Sequence, residues 1–224
     1  MDMLKSDEIA EARLTDWRKL AQGLHARYVV DDFGAAARFV AAVGEAGDAL
    51  DHHPRVSIGK GYVDLKLVSD DAIYRDDEGT EHVVEWVTQQ DVDLARRITE
   101  IAADHEVDAD PASVSVLELG LDTAHSATIA PVWAALLTGN PESQGYGSPS
   151  DEIRDATRRV PNLWFGDADE HEPSRQRFHV EVYVAPEVAE QRIAAAVAAG
   201  GTVIDDSNSP SLTCTVGKAE TGWV

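Results

Sequence analysis

Residues 48–56 read DALDHHPRV: two adjacent histidines and a proline, with an aspartate four positions before the first histidine. The ordinary imidazole pKa lies close to neutrality, so such a pair is the chain's clearest candidate for moving protons. The spacing places the pair where a helix stops. There the negative end of the helix dipole, and Asp48 one turn before His52 on the same face, both favour the charged form of His52. Pro54 removes His53 from helical geometry, so the two rings must point differently, one able to bind while the other transfers protons. Helix capping accounts for the same residues without function, because histidines interact with terminal carbonyls and proline often follows a helix end.

The elements that must carry these residues follow from periodicity. Phe39, Val43 and Leu50 recur at helical intervals beside Phe33, Ala36 and Val40, with Asp32 as N-cap, which predicts a helix from Phe33 to about Leu50. HARYVVDD reads as a strand, and RVSIGKGYVDLKLVS as two strands joined at Gly-Lys-Gly with Val63, Leu65 and Leu67 inward and Tyr62, Asp64 and Lys66 outward. AIYRDDEGTEHVVEWV predicts a hairpin turning at 77–79, followed by a helix from TQQDVDLARRITEIAAD in which Thr88 and Asp91 have capping-box spacing. Upstream, SDEIAEARLTDWRKL has Ile9, Leu14, Trp17 and Leu20 near helical spacing and reads as a helix.

HEVDADPAS is polar, acidic and aperiodic, and divides the chain into residues 1–105, a linker at 106–113, and residues 114–224. Beyond it, SVSVLELGLD, HSATIAPVWAALL, NLWFGDA, RFHVEVYVA, PEVAEQRIAAAVAAG, GTVIDD and SLTCTV give strand, helix, strands twice over, as two βαβββ-like modules would. The expected class is α+β: an antiparallel N-terminal sheet packed by helices, then paired βαβββ modules.

Forty-one acidic against 19 basic residues give a net charge of −22, which repels phosphate backbones and anionic lipids and argues against nucleic acid or membrane partners. No apolar run approaches the roughly 18–20 residues of a membrane helix, and the first residues lack the pattern of a signal peptide, so a cytoplasmic location is expected. Cys214 is the single cysteine, which leaves no internal disulfide or thiolate cluster; in SLTCTV it reads as a packed thiol.

Residues 10–104 resemble the pterin-4a-carbinolamine dehydratase family through LTDWRKL, DDFGAAARFVAAVGEAGDALDHHP, a strand pair and WVTQQDVDLARRI. The resemblance implies metal-free, cofactor-free dehydration of a 4a-hydroxytetrahydropterin to the quinonoid dihydropterin by histidine acid/base chemistry. In that frame His52 is the principal acid/base, His53 a positioning donor and His82 the second acid/base. Asp48 orients His52, and Pro54, Asp91 and Tyr62, or Lys60 in place of that aromatic, complete the substrate site. The family's third histidine would fall near Asp70, with about a dozen residues inserted before the closing helix, and His82 lies nine positions before Asp91. The family also implies a dimer or tetramer, and its members without a catalytic histidine imply a scaffold or assembly role instead. Residues 114–224 resemble glyoxalase-like members of the vicinal oxygen chelate superfamily, which implies a divalent metal held by four strands. Glu118 and His179 are the weak ligand candidates, while Gly166 stands where Glu or Gln is expected. A metal-dependent lyase or dioxygenase is the corresponding third reading.

Overall fold

Along Gly23–Val29, Leu24, Ala26 and Tyr28 alternate with His25, Arg27 and Val29, so one face of the strand is apolar and the other polar. Register pairs that apolar face with its counterpart on the neighbouring strand: Leu24 lies opposite Leu67, Ala26 opposite Leu65 and Tyr28 opposite Val63. The structure is a computed structural model that describes residues 1–138, 140–143, 152–153, 161–167, 169, 178–198, 202–205 and 215–217.

In chain order, the elements of the first half are α1 (Ser6–Glu11), β1 (Arg18–Leu20), β2 (Gly23–Val29), α2 (Phe33–Leu50), β3 (Arg55–Gly59), β4 (Tyr62–Leu67), β5 (Ser69–Arg75), β6 (Glu81–Trp86), α3 (Gln89–Asp104) and β7 (Asp108–Ala109). Strands β1-β2-β4-β3 form an antiparallel sheet, β7 adds to the far end of β2, and β5 and β6 make a separate hairpin. Helix α2 turns Ala36, Phe39 and Val43 onto the sheet, and α3 adds Val92, Leu94, Ala95, Ile98 and Ala102, all at most 2% exposed. The helices therefore cover one face of the sheet.

Two sequence expectations change here. The helix expected through Leu20 stops at Glu11, Arg13 takes a left-handed φ of 50°, and Trp17 and Leu20 anchor different cores. Trp17 Nε1 donates to Ala95 O (3.2 Å), and β1 pairs with β2, so tertiary anchoring overrides local periodicity. Residues 105–113, read as aperiodic, include a short strand: β7 pairs with β2, and Asp110 N donates to Arg27 O (2.8 Å).

The second half follows as β8 (Ser115–Thr123), α4 (Ser126–Thr138), β9 (Glu152–Ile153), β10 (Leu163–Asp167), β11 (Phe178–Val184), α5 (Pro186–Ala198), β12 (Thr202–Asp205) and β13 (Thr215–Gly217). The sheet runs β11-β8-β10-β9, with β8 and β10 parallel, while β12 and β13 pair separately. The α+β class holds, and each module shows strand, helix, strand, strand among the described residues. Cys214 and the chain's last residues lie outside them. No helix among the described residues is long and apolar enough to cross a membrane.

Candidate active site

The histidine pair is placed by how α2 ends. Asp51 adopts a left-handed φ of 51°, His52 N donates to Gly47 O (3.1 Å) and Asp51 N to Asp48 O (3.4 Å), the two bonds of a Schellman motif. The chain reverses there and sends the two rings apart. His53 folds back over α2, where its Nε2 pairs with Asp48 Oδ1 (2.8 Å). A Cβ on the buried Gly47 would lie 2.7 Å from His53 Cδ2, so the helix lacks a side chain where the ring crosses it. His52 turns to α3, where its Nε2–H donates to Asp91 Oδ1 (2.8 Å). Asp48 thus holds His53, not His52 as its helical spacing predicts, because the left-handed residue moves His52 off the helix face.

Asp91 is fully buried and works with both oxygens. Oδ2 accepts from Thr88 N (2.7 Å), Thr88 Oγ1 (3.1 Å) and Ser69 Oγ (2.9 Å), which caps α3; Oδ1 is left to His52. Asp91 therefore caps α3 through Oδ2 and holds His52 through Oδ1 at the same time. Ser69 escaped sequence reasoning because no local pattern joins it to a residue 22 positions away. The bond to Asp91 holds the His52 pKa above its ordinary value against partial burial, with Asp71 and Asp70 acting in the same direction. Those two carboxylates come from a register irregularity between Ser69 and Ala72, which leaves Ser69 and Ala72 buried and both aspartates exposed. Asp70 stands where the family's third histidine is expected, and pairs with Arg55 Nη2 (3.2 Å), which also reaches Glu85 (3.1 Å).

Other expected members lie elsewhere. His82 sits on the β5–β6 hairpin, where Nε2 pairs with Asp76 Oδ2 (2.9 Å) and the ring lies 6.0 Å from that of Tyr74. Tyr62 lies flat over Gly59 beneath the Arg27 guanidinium (4.3 Å to the ring centre), and Arg27 is bidentate to Asp64 at 2.6 Å. The Gly59–Tyr62 pair is four residues along β3 from Arg55, about 13 Å at strand rise, so Tyr62 does not join the histidines. Pro54 is half-buried and leads directly into β3. Two hollows of about 290 and 320 Å³, one beside α1 and α3 and one between α2 and α3, include neither histidine of the pair.

In the second half, Glu118 is 5% exposed and accepts from Gln22 Nε2 (2.8 Å) and Asn162 Nδ2 (3.5 Å). His179 is opposite Gly120 on β11. A Cβ on Gly166 would fall 2.3 Å from Asp122 Oδ1, so a Glu or Gln there would have to displace the Asp122 side chain. Among the described residues no three His, Cys, Asp or Glu side chains gather as metal ligands.

Comparison with known proteins agrees with both halves. A family model described as pterin 4 alpha carbinolamine dehydratase matches residues 2–101, and one described as a glyoxalase-like domain matches residues 118–217. A Koribacter versatilis protein with a provisional pterin-4-alpha-carbinolamine dehydratase name is 31% identical over 94 residues, 42% of this chain and 87% of that protein. A Halobacterium salinarum protein with the same provisional name is 27% identical over 96 residues, 43% of this chain and 92% of that one. A Brucella melitensis crystal structure described as a transcriptional coactivator/pterin dehydratase is 27% identical, with a TM-score of 0.37, covering 45% of this chain and 99% of that one.

Proposed function

The chain belongs, through residues 2–101, to the pterin 4 alpha carbinolamine dehydratase family, and on that premise we propose that it dehydrates a 4a-hydroxytetrahydropterin to the quinonoid dihydropterin. The observation that carries this reading is the His52–Asp91 pair, an imidazole at 2.8 Å from a fully buried carboxylate that favours its charged form. Imidazolium His52 gives its proton to the departing 4a-hydroxyl, which leaves as water. The N5 lone pair forms the new C4a=N5 bond, and the proton on N5 passes to solvent water, with His53, half exposed beside Asp48, as a positioning donor. The step is balanced without an ion or an oxidant. The protein would act as a cytoplasmic dimer or tetramer on a free pterin.

Turnover of a 4a-hydroxypterin generated in situ tests the assignment. His52→Ala is expected to lower the rate roughly 100-fold or more, the usual range for a lost general acid. An unchanged rate would defeat it. The placement of His82 on the hairpin, bonded to Asp76, favours a second reading, an assembly protein built on the same fold. Background turnover by a folded, oligomeric wild type would move the function there.

A further inference from the structure

The polar face of the first sheet carries more buried charge than the histidine chemistry uses. Lys19 Nζ lies 3.8 Å from the Trp86 ring centre and donates to Ala21 O, and Lys66 bonds Glu85 Oε1 (3.1 Å) from the strand beyond His25. The two ammoniums repel each other, and burial lowers the pKa of both, that of Lys19 to about 8. Burial, with the same cations and Arg55, pushes His25 down to about 3, so its imidazole is neutral and adds no positive charge. Glu85 supplies one counter-charge from β6. The other comes from the second half: Glu118 on β8, 5% exposed, opposes the lowering at both Lys19 and Lys66 and takes the Gln22 amide at 2.8 Å.

Apolar surface closes around the same seam. Leu20 of β1 is 4% exposed against Val114 (6%) and Ala185 (0%), with Val116, Tyr183 and Val188 packed on them. At the rim, Arg18 is bidentate to Glu187, its Nη2 at 2.5 Å.

We propose that Glu118, at a position where the resemblance implies a metal ligand, serves as a latch that fastens the second half to the first through Gln22 and the Lys19–Lys66 ammonium pair. The partner that this sheet face fits is the chain's own β8. A carboxylate oxygen already accepting from the Gln22 and Asn162 amides, in a field of nearby cations, is a poor ligand for a further dication. Its removal takes away the favourable field of one carboxylate from two half-buried ammoniums. The inference is independent of the dehydratase reading.

Thermal unfolding and limited proteolysis of the full chain test the latch. Wild type is expected to unfold in one transition. Glu118→Gln should lower Tm by roughly 3–10 °C and split or broaden the transition. Cleavage within residues 105–125 should accelerate severalfold. Gln22→Ala should give a smaller loss, and the double variant should be little worse than Glu118→Gln alone, because both act on one contact. If Glu118→Gln does not fold, Gln22→Glu decides: a carboxylate set against Glu118 destabilises a latch, whereas it would improve a cation site. Two separate transitions in wild type, additive losses in the double variant, or stoichiometric Mn, Fe, Ni or Zn in wild type that Glu118→Gln loses would each overturn the proposal.

Discussion

One buried carboxylate, Asp91, caps a helix with one oxygen and holds a histidine with the other, and that division can be tested. Asn at position 91 can present its oxygen to the Thr88 amide or to His52, not to both. Asp91→Asn should therefore cost about 3 kcal/mol, by chemical denaturation, since breaking a buried, hydrogen-bonded charge leaves partners unpaired. The pH dependence has a definite sign. Because His52 has a raised pKa when folded, its stabilisation is complete below the ordinary imidazole value of 6.5 and disappears as pH rises through the raised value. Asp91→Asn should flatten that slope and, if His52 is the acid, move the alkaline limb of the rate profile to lower pH. His82 gives the opposite test. It was read from the sequence as a second acid/base, but its partners are Asp76 and Tyr74, so His82→Ala should leave turnover within about twofold and stability within about 1 kcal/mol, as for exposed pairs.

At the scale of elements, the end of α2 matters most. Gly47, on the buried stripe Ala36, Phe39, Val43, Gly47, is where the His53 ring crosses the helix. Alanine there gains about 1 kcal/mol in helix propensity but adds a methyl 2.7 Å from His53 Cδ2 and 3.0 Å from His52 O, an overpacking that costs about 1–3 kcal/mol. Gly47→Ala should thus be neutral to mildly destabilising while turnover falls by more than stability does. Comparing Tm with initial rate checks this. Helix α2 was legible because Asp32 caps it by accepting from Ala35 N (2.7 Å) and its apolar stripe keeps the helical period. The helix expected through Leu20 was not, because the partners of Trp17 and Leu20, Ala95 and Val114, lie about 80 and 90 residues along the chain.

For the whole molecule, a net charge of −22 sets stability against self-repulsion. Raising KCl from about 0.05 M to about 1 M shortens the Debye length to roughly 3 Å, and Tm should rise by on the order of 5 °C despite weaker exposed pairs such as Arg18–Glu187. A fall with salt would mean that ion pairs outweigh repulsion. Composition, strand alternation, the extent of α2 and the capping role of Asp91 were settled by the chain's own order of residues, since each depends on neighbours within a few positions. Which carboxylate holds which histidine, the parting of His52 from His53, the removal of Tyr62 and His82 from them and the engagement of Glu118 by Gln22 were decided only in three dimensions. Those contacts depend on a left-handed turn at Asp51, a register irregularity after Ser69 and the packing of distant strands, none of which a local pattern encodes.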